Sequence, residues 1–313
     1  MFIESNIKTT LQTKTILGIS LGSSKRDHSA EITTGPYNFK LIRMGTDGSI
    51  AKAVSLFREF DGMVDAFGLG GAVNYVSLKN RKYHFKELSK IQMAIQRTKL
   101  GDGNEVKGIL SDNALKAIES EGIKLRGLKA LHMGAIDRYS QAESLVKRGC
   151  NVIFGDLMFG TGLPIPVRNL NTLNRIGATI LPLITRLPYR WFYPTGRKQD
   201  KKPSRKFARY FRQCDLIVGD YIWIKVNLPD DLTGKIILTN TTTSEDVEEL
   251  RKRGLKLLVT TTPRINGRTF GTNIIEAMAL SLIDKPKEEI TKEDFRRIIN
   301  DIPIKPNVEK LNK

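Results

Sequence analysis

A segment near the start of the chain combines side chains that can transfer a proton. Residues 20–28 follow an apolar run, so we expect a loop at the end of a strand. Within this loop Lys25, Asp27 and His28 supply an amine, a carboxylate and an imidazole. Such groups exchange protons with an alcohol oxygen. We therefore predict that these three residues are catalytic.

Two segments carry groups that suit an anion. The loop at 20–28 also contains a hydroxyl and a guanidinium, and residues 264–273 combine two arginines and two glycines directly before an apolar helix. Arginine forks and the free N–H groups of a helix N-terminus bind carboxylate or phosphate. A plain capped loop is the alternative for 264–273. The predicted substrate or anion-binding residues are Ser23, Arg26, Arg264, Arg268, Gly271, Thr272 and Asn273.

Residues 129–156 have the order of a dinucleotide-binding unit. An apolar strand runs into Gly134, an amphipathic helix follows, and the next apolar strand ends at Asp156. An acid about 20 residues after the glycine turn is expected to bind the ribose of NAD. The pattern G-x-G-x-x-G is absent, because Ile136 and Tyr139 occupy the second and third glycine positions. An ordinary strand-to-helix turn therefore remains the alternative.

A polar strand end further along the chain borders the same predicted crevice. Residues 239–243 read Thr-Asn-Thr-Thr-Thr and leave an apolar strand, and part of this segment suits a helix cap. We expect the cofactor to lie between the two strand ends, with NAD favoured over NADP because Asp156 repels a 2′-phosphate. The predicted cofactor-binding residues are Gly134, Ala135, Arg138, Asp156, Thr239, Asn240 and Thr241.

These motifs require a sheet that brings strand ends together. From residue 129 onward, short apolar strands alternate with helices, which indicates a mostly parallel sheet buried on both faces. Earlier strands are predicted at 15–23, 37–44 and 64–69, with helices at 48–60, 86–97 and 105–121. The predicted fold class is α/β, with a Rossmann-like, mostly parallel sheet domain preceded by a smaller α/β domain.

The change of pattern gives the expected domain organisation. Residues 1–127 form a substrate-side α/β domain and residues 128–283 a Rossmann-like ligand domain. Residues 284–313 form a charged C-terminal helix and an exposed tail. In the first domain, the glycines at 70 and 71, together with Asp102 and Lys107, border the same cleft.

Composition limits the class of protein. No apolar run approaches the roughly 20 residues of a membrane span, and no secretory signal is evident at the start, so we expect a cytoplasmic protein. Two cysteines and three scattered histidines provide no metal-ligand spacing, so we predict no metal. The net charge of +18 is spread along the chain with one local peak at 196–206, which makes nucleic acid an unlikely partner compared with a small anionic substrate. The oligomeric state is not indicated.

Several short motifs resemble a bacterial family labelled quinate 5-dehydrogenase, over about residues 17–279. They are Ser20-Leu-Gly-Ser-Ser-Lys-Arg-Asp-His28, Phe67-Gly-Leu-Gly-Gly71, Phe154-Gly-Asp156, Leu163-Pro-Ile-Pro166, Tyr193-Pro-Thr-Gly196 and Phe270-Gly-Thr-Asn273. The resemblance implies a substrate domain followed by a nicotinamide-binding domain. The chain departs from the related quinate and shikimate dehydrogenases at residues 134–138, where they carry a glycine-rich turn, and it lacks their asparagine–threonine–proline–lysine segment.

Two functions are compatible with these features. The first is an NAD(P)-dependent dehydrogenase that transfers hydride from a polyhydroxylated cyclic acid such as quinate or shikimate. The alternative is a protein without redox activity that binds an anionic metabolite or nucleotide in the crevice between the domains.

Overall fold

The computed structural model describes residues 11–189, 206–265, 268–302 and 304–313, without the side chains of Ile265 and Arg268. The predicted basic segment at 197–205 lies outside the described residues. The predicted fold class is confirmed, because the chain forms a small, mostly parallel α/β sheet followed by a larger Rossmann-like one.

The first sheet has five strands. In spatial order they are β2 (His28–Thr34), β3 (Tyr37–Gly45), β1 (Gln12–Ser20), β4 (Ala66–Gly70) and β7 (Lys99–Gly101). All run parallel except β2, which pairs antiparallel with β3. Helix α1 (Ile50–Phe60) connects β3 to β4, and β5 (Tyr75–Leu78) forms a separate hairpin with β6 (Arg81–His84).

The second sheet has six strands. In spatial order they are β9 (Asn151–Phe154), β8 (Lys129–His132), β10 (Leu216–Val218), β11 (Ile236–Thr239), β12 (Leu257–Thr260) and β15 (Asn307–Lys310). Only β15 runs antiparallel. The remaining helices are α2 (Ser89–Gln92), α3 (Lys107–Ser120), α4 (Tyr139–Lys147), α5 (Leu170–Ile184), α6 (Ala208–Gln213), α7 (Tyr221–Lys225), α8 (Ser244–Lys252), α9 (Thr272–Leu282) and α10 (Lys292–Asp301), and a short hairpin joins β13 (Arg264–Ile265) to β14 (Arg268–Thr269).

Two helices cross between the sheets. Helix α3 follows the first sheet in sequence but packs against α4, β12 and β15 of the second. Helix α9 follows the second sheet but packs on β1, β4 and β7 of the first, with α10 against it. The predicted segment 1–127 therefore contributes α3 to the second sheet, and the predicted segment 128–283 contributes α9 to the first sheet.

A row of glycines creates the surface on which α9 lies. Gly18, Gly68 and Gly101 are in register on the adjacent strands β1, β4 and β7. A Cβ at Gly101 would lie 3.0 Å from the backbone nitrogen of Ala277 on α9, and one at Gly18 would lie 2.6 Å from Ile274. The helix therefore approaches this sheet more closely than side chains would permit.

The structure differs from the predicted elements in several places. A helix was expected over 86–97, but a 3₁₀ turn and the short α2 end there because Asp61 accepts the backbone N–H groups of residues 96–98. Strand β2 was not predicted, and the predicted loop at 20–28 ends where it begins. The C-terminal tail was expected to be exposed, yet β15 completes the second sheet, with Glu309 paired to Arg264.

No helix among the described residues is both long and apolar enough to cross a membrane.

The glycine row gives a test of the packing. Gly101→Val should lower the free energy of unfolding by about 1 to 3 kcal/mol, because the added side chain meets the backbone of α9. Gly160→Val is the matched control, since a Cβ there meets no atom within 4 Å. Urea denaturation measures both. Equal stability of the two variants would contradict close packing of α9.

Candidate functional site

The topological switch points of both sheets open into one cleft. In the first sheet the chain moves from β1 to β3 on one side and then to β4 on the other. In the second sheet it moves from β8 to β9 on one side and then to β10 on the other. Ligands of open α/β sheets bind beyond the strand ends at such points. Ser20 ends β1, Gly70 ends β4, and Gly134 and Asp220 follow β8 and β10. All four residues line the same cavity.

The cavity has a volume of about 470 Å³, within the usual range for small-molecule sites. One part of its wall is apolar and includes Ile136, Leu157, Ile176, Ile180, Ile222 and Trp223. The charged side chains on the wall are Arg26, Arg43, Asp102, Lys107, Asp137, Arg138, Asp156 and Asp220. A ligand here meets both a hydrophobic surface and charges of both signs.

The predicted catalytic loop takes up a fixed conformation at the first switch point. The carboxylate of Asp27 accepts hydrogen bonds from Arg43 Nη1, at 2.7 Å, and from the backbone nitrogen of Gly45, at 2.6 Å. Lys25 is exposed and lies outside the cleft, whereas Arg26 and His28 line it. Asp27 therefore acts as a clamp on Arg43 and does not face the ligand.

A second group of charges lies at the end of β7. The buried Asp102 carboxylate accepts hydrogen bonds from the backbone of Asn74 and from both nitrogens of Asn104. The buried Lys107 Nζ donates to Asn104 Oδ1 at 3.1 Å and lies 3.4 Å from Asp137 Oδ1. Lys107 begins α3 shortly after β7 and Asp137 follows β8, so this ion pair links the loop after β7 to the turn after β8.

Glu276, a carboxylate on α9, binds the backbone of the loop that carries Asp102. Glu276 is buried and accepts the backbone N–H groups of Asp102 and Glu105. Burial, together with the neighbouring Asp102 charge, raises the pKa of Glu276 to about 8. Burial also raises the pKa of Asp102. The α9 helix thus holds the loop that carries Asp102 and Lys107.

The turn after β8 is held by the predicted ribose-binding acid. Asp156 Oδ1 accepts the backbone N–H of Ile136 at 2.8 Å. Its Oδ2 atom is buried and has no hydrogen-bond partner among the described residues. Burial raises the pKa of Asp156 to about 6, an effect that the Ile136 hydrogen bond partly opposes. Asp156 therefore fixes the conformation of the turn and keeps one oxygen uncommitted.

Gly134 leaves space at the start of this turn. A Cβ there would meet no atom within 4 Å, so the backbone is open to close approach by a ligand. Ala135 is fully buried and faces the core. The single glycine thus provides an open backbone without being required by the fold.

The far side of the second switch point is an ion-paired cluster. Arg138 Nη2 donates to Asp220 Oδ2 at 3.0 Å, and Asn240 Nδ2 donates to the same oxygen at 2.6 Å. Asp220 Oδ1 caps α7 through the backbone N–H of Ile222. Thr239 is buried and donates to the Gly219 carbonyl, so it supports this cluster from behind the wall.

The structure brings together most of the predicted site residues. Those that line the cleft are Arg26, His28, Gly134, Arg138, Asp156, Asn240, Thr241, Gly271, Thr272 and Asn273. Those outside its wall are Ser23, Lys25, Asp27, Ala135, Thr239 and Arg264. The side chain of Arg268 lies outside the described residues.

Arg264 and Ser23, which lie outside the cleft wall, make structural contacts instead. Arg264 donates to Glu309 of β15 and to Thr242, so it ties the edge strand to the sheet. The side chain of Ser23 accepts the backbone N–H of Lys25 and caps the turn. Neither residue lines the cleft.

Sequence reasoning missed Arg43 and Asp220. Arg43 lies within the predicted strand at 37–44, and its alternation with Leu41 gives no sign of a cleft. Asp220 follows a strand and a glycine, which is the same signal that identified Asp156, so it was accessible from the pattern.

The raised pKa of Asp156 gives a prediction about pH. Its folded-state pKa lies above the ordinary aspartate value of 3.8, so its contribution to stability is largest at low pH and is lost as the pH rises through about 6. The stability of Asp156→Asn relative to the unmodified protein should therefore increase by about 1 kcal/mol between pH 5 and pH 8.

Urea denaturation at several pH values measures this difference. The amide oxygen of Asn can still accept the Ile136 N–H, so the turn is retained. Asp301→Asn, at an exposed carboxylate, controls for the loss of a negative charge. A difference that is constant with pH would show that Asp156 is not titrating in this range.

Similarities to solved structures are distant. An NAD-dependent malic enzyme from Thermotoga maritima is 12% identical, with 95% of this chain and 85% of that chain covered and a TM-score of 0.33. A hetero-hexameric glutamate dehydrogenase from Thermus thermophilus is 12% identical, with 94% and 75% covered and a TM-score of 0.39. A galactofuranose binding protein is 12% identical, with 95% of each chain covered and a TM-score of 0.34.

No curated protein matches the sequence. Residues 15–102 match a family model described as a domain of unknown function (DUF8753), and residues 105–311 match one described as a domain of unknown function (DUF8754). The second match covers about two thirds of the chain, including the whole second sheet, α3 and α9. The chain therefore belongs to the DUF8754 family.

Proposed function

We propose that this protein is a nicotinamide-dependent oxidoreductase that acts on a small hydroxy acid or its keto form. One observation carries the proposal. The switch points of two parallel sheets open into a single cleft, and Lys107 is held on the wall between them. A cofactor on the second sheet and a substrate on the first would thus meet beside a proton donor.

The residues around the turn after β8 fit a dinucleotide. Gly134 has an open backbone, which suits approach of a phosphate. Asp156 Oδ2 lacks a hydrogen-bond donor, and a ribose hydroxyl is such a donor. The same carboxylate disfavours a 2′-phosphate, so NAD is the expected cofactor. When bound, the nicotinamide ring supplies or accepts the hydride.

Lys107 is the group that we assign to proton transfer. In the direction of reduction, hydride adds to the carbonyl carbon while the Lys107 ammonium gives a proton to the carbonyl oxygen, and Lys107 regains its proton from solvent. Oxidation of the alcohol reverses both transfers. Asn104 and Asp137 hold the Nζ atom at 3.1 Å and 3.4 Å, which fixes the position of the donor.

His28 is the alternative proton donor from the predicted loop. Its Nδ1 atom lies 2.9 Å from the Arg26 carbonyl, and its ring packs 5.8 Å from that of Phe270. Lys107 is preferred because it is buried and is fixed by groups from both sheets.

Replacement of Lys107 tests the assignment. Lys107→Met should lower kcat at least about 100-fold, because a general acid contributes that much or more, while NAD binding is retained. Lys116→Met, on the exposed side of the same helix, is the matched control. Thermal stabilisation by NAD and NADP measures binding. Cofactor oxidation and reduction with quinate, shikimate and malate, and with their keto forms, measures turnover.

The outcomes separate the candidates. Loss of turnover in Lys25→Met or His28→Asn, with full activity in Lys107→Met, would overturn the role of Lys107. Absence of stabilisation by either cofactor would overturn the oxidoreductase itself.

A protein that binds an anionic metabolite without turnover is the second candidate. It is favoured by the charges at the turn, where Asp137 stands in the position that a pyrophosphate would approach and Arg138 is paired with Asp220. This candidate predicts ligand binding that is unaffected by NAD and a complete absence of hydride transfer.

A further inference from the structure

Two guanidinium groups converge above one glycine at the first switch point. Measured from the position that a Cβ would take on Gly22, Arg43 Nη2 lies at 3.1 Å and Arg26 Nη2 at 3.9 Å. Both side chains line the cleft, and so does Gly22. Two like charges are thus held around a single small space on the wall.

Arg43 is fixed in place by the loop. Its Nη1 atom donates to the Ser23 carbonyl at 3.1 Å and to Asp27 Oδ1 at 2.7 Å. Asp27 is itself held by the backbone N–H of Gly45. These contacts are made by Nη1, whereas Nη2 is the nitrogen that lies close to the Cβ position of Gly22. The position of this charge is therefore set before any ligand arrives.

A buried hydroxyl completes the wall of this space. Ser20 is 7% exposed, and its Oγ atom lies 3.2 Å from the same Cβ position on Gly22. The Oγ atom accepts the Gly22 N–H at 3.1 Å, and its own hydrogen has no acceptor among the described residues. This hydroxyl can therefore donate a hydrogen bond to a ligand oxygen placed beside Gly22.

The charges of the cleft are separated in space. The acidic side chains on its wall are Asp102, Asp137, Asp156 and Asp220, which follow β7, β8, β9 and β10. None of them follows β1 or β3, where the two arginines lie. Asp27 and Asp47 are on the same side of the sheet as the arginines but are not on the cleft wall, and they bind Arg43 and the Ser24 backbone.

We propose that Arg26, Arg43 and Ser20 form a subsite above Gly22 for the oxyanion group of a small acid. Guanidinium groups bind carboxylate and phosphoryl oxygens through charge-assisted hydrogen bonds. The absence of a side chain at Gly22 leaves room for these oxygens. The subsite deepens the proposed function, since it places the acid group of the same ligand, and it requires no cofactor.

Binding of matched acids and neutral analogues tests the subsite. The probes are quinate with its methyl ester and glycerol 3-phosphate with glycerol, titrated by calorimetry into the full-length protein without cofactor. We expect at least one acid to bind and its neutral partner to bind at least about tenfold more weakly. The carboxylate and phosphoryl arms show which oxyanion is preferred.

Variants identify the residues. Arg26→Met should weaken binding of that acid at least about tenfold, and Arg26→Lys should restore part of it. Gly22→Ala should also weaken binding, because its methyl group fills the space between Arg43 Nη2 and Ser20 Oγ. Lys52→Met, at an exposed cation on α1, is the matched control and should bind normally.

Three results would overturn the subsite. They are no binding of either acid at millimolar concentration, equal binding of an acid and its neutral analogue, and unchanged binding in Arg26→Met. These results are independent of the oxidoreductase test. Acid binding that depends on Arg26, without hydride transfer, would retain the subsite and remove the redox function. Hydride transfer with unchanged KM in Arg26→Met would retain the redox function and remove the subsite.

Discussion

The site depends on the close packing of α9 on the glycine row of the first sheet. Gly18, Gly68 and Gly101 allow the helix to lie against the strands, and this places Thr272 and Asn273 on the cleft wall. The same helix carries Glu276, whose carboxylate binds the two backbone N–H groups that shape the loop after β7. Because α9 follows the second sheet in sequence, one helix fixes the floor of the site and ties the two sheets together.

Buried charges near the cleft are paired across elements that are distant in sequence. Lys107 pairs with Asp137, and Arg138 pairs with Asp220. A buried ion pair adds little net stability, but removing one partner is costly because it leaves an unpaired charge. These pairs therefore act mainly to fix the relative positions of the loops that carry them. Lys107 gains a defined position from this arrangement, which the role proposed for it in proton transfer requires.

Much of the architecture can be predicted from local sequence patterns. The partners of the charged side chains cannot be predicted in this way. Apolar runs and helix caps were sufficient to predict the α/β class, the parallel second sheet and the cleft at Gly134 and Asp156. The clamp between Asp27 and Arg43 joins residues 16 positions apart in a strand and a turn, and nothing in their spacing reveals it. Strand β15 was not predicted because its charged residues are typical of a tail, and its Glu309 pairs with Arg264, 45 residues earlier. The crossing of α9 depends on glycines spread over three strands, which only the register brings together.

The single glycine of the turn after β8 can be understood from its surroundings. A three-glycine turn gives a tight bend, open backbone and close helix packing. Here Asp156 holds the bend through the Ile136 N–H, and Gly134 alone leaves the backbone open. Tyr139, at the third glycine position, is buried with its ring in the core, so α4 packs through an aromatic side chain instead of through close contact. The functions of three glycines are thus divided among an acid, one glycine and an aromatic residue, and an incomplete glycine pattern is compatible with a nucleotide-binding turn.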